Sequence, residues 1–424
     1  MIVTFADMIR HRRSNLELTM DKLAEKANIR KSTISKIENG EVKKPEFKTI
    51  KSLAEALDIS YDDYIGIYIS LERNSDAMLD ILQEAISTSN SILLITDIAI
   101  KYLELPHLDS YDAIEQMFTS ANNVNDTSIK LSLFKTVVNY SRSHGVMTYI
   151  AKGMYQVYLI ERNDFSKLEA SYQSGKNVLA YVDFLSLEEQ IKLYYCLENH
   201  AYALLKFNES IDFSMIVIDI DIYKSEFSAH ATFNICNCYY YLNDFAKSEI
   251  FLDEYKKYSF SFVKDNVQFM TGCINGRSGK IELGIEQLEQ YFKVTSPFNF
   301  VYVVTMLMDL YLIKSDLISA RDLLTYEAEM KNSLNLEYTT PDKKARMAYF
   351  YQLAGNALIS QDVEKAFDYY LESALEYMKI GLYDRALGSV MLINESILED
   401  HSLLSIEIVR KINEVYKQII NKKI

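Results

Sequence analysis

Apolar residues recur every three or four positions along the chain, which is the spacing of one face of an α-helix. Phe5, Met8 and Ile9 form the first such face, over about residues 4–15. Short polar breaks separate one helical pattern from the next throughout the remaining sequence. The pattern predicts an all-α protein, and the small number of helix breakers, 4 Pro and 12 Gly, favours the same fold class.

Four more short helices are predicted before residue 66. Thr19 is a suitable N-cap for the second, and Gly40 is placed to end the third, which runs from about Lys31 to Asn39, in a left-handed conformation. Pro45 precedes the fourth. Ser60-x-x-Asp63 is typical of the cap that opens a fifth. The residues predicted to face inward are Leu23, Ala24, Ala27, Ile34, Ile37, Phe47, Ile50, Leu53, Ala54 and Leu57.

The segment "LTMDKLAEKANIRKSTISKIENGEVKKPEFKTIKSLAEALDIS" resembles the Cro/cI-type (XRE) helix-turn-helix over about residues 4–65. The resemblance implies that the third helix enters the major groove of DNA. It implies base-reading roles for Lys31, Ser32 and Lys36, and phosphate-binding roles for Thr19, Thr33, Asn39, Lys43 and Lys44. Arg13 and Glu38 match a pair that forms a structural salt bridge in this family.

Polar turns recur in the rest of the chain. Asp164, Asn208, Asp244, Gly279, Asp316 and Asp362 are 44, 36, 35, 37 and 46 residues apart. A period of this length predicts stacked helical hairpins. The units at 232–258 and 347–378 resemble tetratricopeptide (TPR) repeats most closely, and 402–421 is predicted to be a polar-backed helix that caps the stack.

The predicted domains are therefore a helix-turn-helix domain at 1–66, a TPR-like α-solenoid that senses a peptide at 67–401, and a capping helix at 402–424. Such a solenoid is expected to hold an extended peptide along its inner helices, where Asn side chains can pair with a peptide backbone through both a donor and an acceptor. The candidate peptide-binding residues are Asn199, Tyr202, Asn234, Asn237, Tyr239 and Asn356. Arg277, in a glycine-flanked turn, is expected to be a surface residue.

Charge is divided unevenly along the 424 residues. Residues 1–52 hold twelve Lys/Arg and seven Asp/Glu, a net charge of +5. Because the whole chain carries −14, the remaining residues carry −19. A basic head on an acidic body predicts a polyanionic partner for the head alone. Acidic groove walls would favour a basic peptide, although the negative charge could equally lie on the convex side.

The composition offers little for other chemistry. The four cysteines have no metal-ligand spacing and are expected to be buried thiols. The six histidines form neither a metal-binding pattern nor a catalytic triad. We therefore expect no catalytic activity, no metal site and no cofactor. Neither a signal peptide nor an apolar run of about 18 residues is found, which predicts a cytoplasmic protein with no membrane span.

An XRE helix-turn-helix joined to a TPR-like array resembles the peptide-pheromone-responsive RRNPP regulators, with AimR-like arbitrium receptors and NprR-like regulators as the two nearest groups. The resemblance implies a homodimer whose binding to a double-stranded DNA operator is controlled by a short signalling peptide. The alternative is a Rap-like scaffold that acts on a response regulator or another protein. Activation and repression both remain open, as do the operator and peptide sequences.

Overall fold

The computed structural model describes residues 4–89, 91–335 and 339–423, and every regular element within these ranges is a helix. The all-α fold class is thus confirmed. The chain divides into two compact units, one formed by residues up to 160 with Tyr181–Phe184, the other by Glu161–Ala180 with Leu185 onwards. The predicted domain boundary at residue 66 falls inside a helix of the first unit.

The first unit is built around one apolar core that runs from Phe5 to Val157. Its helices are α1 (Phe5–Asn15), α2 (Met20–Ala27), α3 (Lys31–Glu38), α4 (Phe47–Ala56), α5 (Tyr61–Leu71), α6 (Ser75–Thr88), α7 (Ile92–Leu103), α8 (Ser110–Asn122), α9 (Thr127–His144) and α10 (Met147–Glu161). The end of α10 passes into the second unit, because Glu161 already belongs there.

The first five helices begin and end where the local signals predicted. The hydroxyl of Thr19 accepts a hydrogen bond from the Lys22 amide at the start of α2, and that of Ser60 accepts from Asp63 at the start of α5. Gly40 adopts φ +75° directly after α3, the left-handed conformation expected of it. The predicted inward residues are buried, apart from Met8, Ala24 and Phe47, which are half-buried.

The second unit contains α11 (Leu168–Val178), α12 (Leu187–Ala203), α13 (Phe207–Ile220), α14 (Glu226–Tyr241), α15 (Phe245–Tyr255), α16 (Val263–Arg277), α17 (Ile281–Phe292), α18 (Phe300–Ile313), α19 (Leu317–Asp322), α20 (Glu327–Ser333), α21 (Pro341–Leu358), α22 (Val363–Lys379), α23 (Tyr383–Glu399) and α24 (Ile406–Lys423). Short 3₁₀ segments lie at Phe165–Lys167, Leu179–Phe184, Leu323–Tyr326 and His401–Leu403, the second of which ends in the first unit.

Four successive helix pairs of this unit, α12–α13 to α18–α19, are joined by connections of the same design. Each connection has three residues, and the middle one is left-handed: Leu205, Asn243, Gly279 and Ser315, with φ between +59° and +100°. These residues are 38, 36 and 36 positions apart. The repeat predicted from polar turns is therefore present, but the prediction that Asn208 marks a turn is wrong, because Asn208 lies inside α13 and the chain reverses at Leu205.

The last helix, α24, packs through Ile408, Ile412, Val415 and Ile419, which are buried. The predicted polar back of this helix is only partly polar, because Ile406, Val409 and Ile420 are exposed on it. All four cysteines are free and buried, as predicted. None of the described helices combines the length and the apolar composition needed to cross a bilayer.

Candidate DNA interface and ligand cavity

Helix α3 separates an apolar inner face from a polar outer face. Ile34 and Ile37 are completely buried against the neighbouring helices, which fixes the rotation of α3 about its axis. Lys31, Ser32 and Lys36, the three predicted base-reading residues, lie on the exposed side. The outer face therefore offers two ammonium groups and a hydroxyl, which are donors suited to the acceptors on guanine and to other base edges.

A buried ion pair holds the end of α3 against α1. Nε of Arg13 lies 2.7 Å from Oε1 of Glu38, and its Nη2 donates to Oε2 at 2.8 Å, so the contact is bidentate. The same guanidinium donates to the carbonyl oxygen of Leu18 at 3.0 Å. Arg10 adds a hydrogen bond to the backbone carbonyl of Glu38. This is the pair that the family resemblance implied, and it positions α3 without facing outward itself.

The predicted phosphate-binding residues differ in exposure and in their contacts within the protein. Thr19, Asn39 and Lys43 are exposed, and Thr33 is half-buried. Lys44 is tied by an ion pair of 2.6 Å to Glu72, whose side chain is buried at the end of α5. The structure thus gives Lys44 a structural contact that the resemblance did not imply.

Lys31 also has a partner, Asp21 of α2, at 2.9 Å between Nζ and Oδ2. Both side chains are more than half exposed, so the pair is a surface pair of the kind that contributes little to stability. Lys31 can exchange this carboxylate for DNA at a small cost in free energy.

The second unit contains two adjoining cavities of about 540 and 210 Å³. They share Tyr202, Tyr240, Tyr241, Met306, Asp342 and Arg346 as common wall residues. The larger cavity lies in the range that small-ligand sites occupy in proteins. Its lining is aromatic and amide-rich, with side chains from α12, α14, α16, α18 and α21.

Four of the predicted peptide-binding residues line these cavities: Asn199, Tyr202, Asn234 and Asn237. The amide nitrogens of Asn199 and Asn237 donate to backbone carbonyls one turn earlier in their own helices, at 2.8 and 3.0 Å. Both donors of Asn234 are used by the hydroxyls of Ser210 and Ser214 at 2.7 and 3.0 Å. Asn234 therefore joins α14 to α13 as well as lining the cavity.

The two remaining predictions, Tyr239 and Asn356, lie away from the cavities. Residues 230, 233, 234, 237, 240 and 241 of α14 face the larger cavity, a helical spacing that turns residue 239 to the other side. There the ring of Tyr239 stacks on Phe251 at 5.7 Å between centroids. Asn356 accepts a hydrogen bond from the hydroxyl of Tyr370 at 2.8 Å.

Charged residues in the cavity walls were not predicted from the sequence. Four arginines line the two cavities, Arg162, Arg277, Arg346 and Arg385, against two aspartates, Asp309 and Asp342. The walls are thus net basic in an acidic chain, which favours the alternative in which the excess negative charge lies outside the groove. Arg277 was expected at the surface. It instead lines the smaller cavity and pairs with Asp309 at 2.8 Å.

Burial shifts the pKa of three titratable groups in the larger cavity. It lowers the pKa of His200 to about 4 and also lowers that of His230, so both imidazoles are neutral at pH 7. Burial raises the pKa of Asp342 to about 6, opposed by a hydrogen bond from Tyr302. The histidines therefore act as neutral donors and acceptors, and Asp342 changes charge within reach of physiological pH.

Residues 9–64 match the family described as Helix-turn-helix (HTH_3). This part of the chain is a helix-turn-helix domain. The match begins within α1 and ends within α5, ahead of every residue that lines the cavities. It therefore bears on the candidate DNA interface and not on the cavities. A helix-turn-helix domain followed by helical repeats is consistent with the RRNPP-type resemblance of the sequence.

Three of the solved structures that are similar to this chain resemble it at low sequence identity. A STAND protein with a tetratricopeptide repeat sensor from Pyrococcus horikoshii has 12% identity and a TM-score of 0.45 over 95% of this chain, which spans 65% of the length of that protein. A Rap protein complexed with Competence and Sporulation Factor has 11% identity and a TM-score of 0.37, over 91% of this chain and 100% of that one. PlcR of Bacillus thuringiensis, solved with a peptide and DNA, has 13% identity and a TM-score of 0.26, over 91% and 98% of the two chains. No curated protein matches the sequence.

Proposed function

We propose that this protein is an RRNPP-type transcription regulator whose binding to operator DNA is controlled by a short signalling peptide held in the cavities of the second unit. The observation that supports DNA binding most strongly is the orientation of α3 in the helix-turn-helix domain. Ile34 and Ile37 on its inner face are completely buried, and the Arg13–Glu38 ion pair holds its C-terminal end. Lys31 and Lys36 are exposed on its outer face.

A peptide is the ligand class that fits the cavity lining best. Amides and hydroxyls along a groove match the alternating donors and acceptors of a peptide backbone, and tyrosine rings provide flat apolar walls for its side chains. Asn199, Asn237 and Tyr202 would make these contacts, to which Asn266 and Asn299 add two further amides that the sequence prediction missed.

We further propose that the regulator acts as a homodimer. Two copies of α3 would then read half-sites about one helical turn of DNA apart, on a two-fold symmetric operator. Coupling between peptide and operator binding of about 1–3 kcal/mol would be sufficient for a switch. Light scattering of the purified chain, with and without an operator fragment, tests the expected mass of two chains per operator.

DNA binding is tested by gel shift of genomic fragments with the full-length protein. The affinity for a retained fragment is expected to fall with increasing salt, because bound Lys residues release counterions from DNA. Substitution of Lys31 or Lys36 by Ala is expected to cost about 1–3 kcal/mol of binding free energy and to relax specificity at one base pair. Lys43→Ala should weaken the binding of all fragments equally and reduce the slope of log affinity against log salt concentration by about one.

The matched control is the double variant Lys256→Ala/Lys257→Ala, which removes two exposed lysines of the second unit. It should leave operator binding unchanged. If Lys31→Ala and Lys36→Ala also leave it unchanged, or if no fragment is retained, the protein is not a regulator of this kind, and a Rap-like scaffold becomes the better hypothesis. Peptide control is tested by repeating the gel shift with peptide fractions of spent growth medium, of which one is expected to change the affinity.

A further inference from the structure

Arg346 lies on the second turn of α21 and lines both cavities. Only 8% of the residue is exposed, which is unusual for an arginine. It stands at the wall that the two cavities share, and its guanidinium packs over the rings of Tyr241 and Tyr349, with 5.1 and 6.0 Å to the ring centroids.

The polar contacts of this guanidinium are weak. Nη1 lies 4.0 Å from the sulfur of Met306, and the buried Nε has no hydrogen-bond partner. No carboxylate of the described residues lies within ion-pair distance of Arg346. A buried arginine without a carboxylate or equivalent acceptor is rare, because removal of a charge from water is costly unless the charge is paired.

The two aspartates of the same walls do not supply the missing partner. Both oxygens of Asp309 are engaged, one by Arg277 at 2.8 Å and the other by the hydroxyl of Tyr349 at 2.9 Å. Asp342 lies one turn before Arg346 on α21, and its hydrogen bond comes from Tyr302. The donors of Arg346 therefore face a cavity whose two aspartates are engaged by other side chains.

We propose that Arg346 is the anchor for a carboxylate of the peptide ligand. The inference rests on the proposed function, since it assigns one group of the ligand to one side chain of the cavity. The guanidinium is planar and presents its N–H groups as a fork that matches the two oxygens of a carboxylate. The rings of Tyr241 and Tyr349 lie against the guanidinium, which is largely removed from water, so the contact selects against ligands that lack an anion.

The carboxylate can come from the C-terminus of the peptide or from an Asp or Glu side chain. The probe is a library of random hexapeptides in three forms: one with a free C-terminus and no Asp or Glu, one with an amidated C-terminus and Asp or Glu included, and one amidated without either residue. Each form is passed over the immobilised full-length protein, and the retained fraction is quantified by mass spectrometry.

Wild-type protein is expected to retain peptides of the first or the second form at least tenfold more than those of the third, and whichever form is enriched identifies the source of the carboxylate. Arg346→Met should abolish this preference, and Arg346→Lys should keep part of it, because the charge remains while the fork is lost. Arg410→Met is the matched control. It removes one exposed arginine from α24, outside both cavities, and should behave as the wild type.

Thermal unfolding and far-UV circular dichroism of each variant establish that the fold is retained. Equal retention of all three forms by the wild type would overturn the assignment of Arg346 while leaving peptide binding intact. An unchanged preference in Arg346→Met would overturn it as well. No retention of any form would overturn the assignment together with the proposed peptide control.

Discussion

Removal of Arg13 is expected to loosen helix α3 selectively, because it leaves a carboxylate buried without a partner. The Glu38 side chain is only 2% exposed, and both of its oxygens are held by Arg13. In Arg13→Met neither oxygen has this donor, and the neighbouring Arg10 is occupied with the Glu38 backbone carbonyl. The opposite variant, Glu38→Gln, leaves Arg13 with its hydrogen bond to Leu18 and with 17% of its side chain in contact with solvent.

The two variants should therefore differ in cost although they break the same pair. Loss of one partner from a buried ion pair typically costs about 3–5 kcal/mol when the charge left behind is buried. Arg13→Met falls in this range. Glu38→Gln should cost about 1–3 kcal/mol, the range for lost hydrogen bonds to a charged group that can still reach water. The double variant Arg13→Met/Glu38→Leu removes both charges and should lie closer to the wild type than Arg13→Met does.

Native-state hydrogen exchange measures this cost within the full chain, since it reports the opening of individual helices. The amides of Ile34 and Ile37 in α3 should exchange faster in Arg13→Met by roughly two to three and a half powers of ten, which is the equivalent of about 3–5 kcal/mol. Arg142→Met, an exposed arginine of α9, serves as the control and should leave α3 unchanged. A larger effect of Glu38→Gln than of Arg13→Met would refute the reasoning.

Three more predictions concern single side chains. Glu198 is wholly buried, and burial raises its pKa well above the usual value, so the folded state loses stability as pH rises from about 4. Glu198→Gln should therefore raise the melting temperature more at pH 8 than at pH 5. Burial also pushes the pKa of Glu72 upward, but Lys44 and two backbone amides outweigh it and hold the pKa below the usual value. Lys44→Met should therefore destabilise the first unit at pH 7 and progressively less as pH falls below 4, as urea titrations at several pH values would report. Gly284→Ala would place a Cβ 2.4 Å from backbone of the preceding helix and should cost about 1–3 kcal/mol or more, while Gly388→Ala, which meets nothing within 4 Å, should be neutral or stabilising in the same denaturation assay.

The helices of the helix-turn-helix domain could be predicted because local signals and the apolar pattern agree there. Thr19 and Ser60 cap helices that begin with an apolar face, and Gly40 ends one at the residue where a left-handed conformation is needed. Each of these signals acts within one helical turn, so no knowledge of the tertiary structure was required.

The repeat connections of the second unit were harder to locate because their geometry is not expressed in residue type. Leu205 and Ser315 adopt the left-handed conformation although neither residue favours it. A prediction based on Asn, Asp and Gly as turn markers therefore located Gly279 correctly but placed a turn at Asn208, three residues too late. The period was still found because the other predicted turn residues of these repeats, Asp244, Gly279 and Asp316, lie within the connections.

The cavity residues depended on which face of each helix packs inward, and this is decided by helices distant in sequence. Three consecutive tyrosines end α14, of which Tyr240 and Tyr241 line a cavity and Tyr239 does not. Residue type cannot distinguish them. Arg346 lies just ahead of the repeat unit predicted at 347–378, and an arginine on a helix is ordinarily a surface residue. Its burial follows from contacts with α14 and α18.

Arg346 and Glu198 are both buried without a charged partner, yet the two residues have different consequences. Glu198 can become neutral by binding a proton, so its burial is relieved inside the protein and the cost appears only as a dependence of stability on pH. A guanidinium stays charged in proteins, so no such relief exists for Arg346. The tyrosine rings offset part of this cost, and an anion that enters the cavity can offset the remainder. Such a ligand would stabilise the folded second unit by about 2.7 kcal/mol at a concentration of one hundred times its dissociation constant, and this gain should be smaller in Arg346→Met at equal ligand concentration because binding is weaker. In the absence of ligand, the same substitution should be neutral or stabilising, since it removes an unpaired buried charge. A side chain that lowers stability when the cavity is empty and raises it when the cavity is filled is expected of a sensor, and not of a core residue.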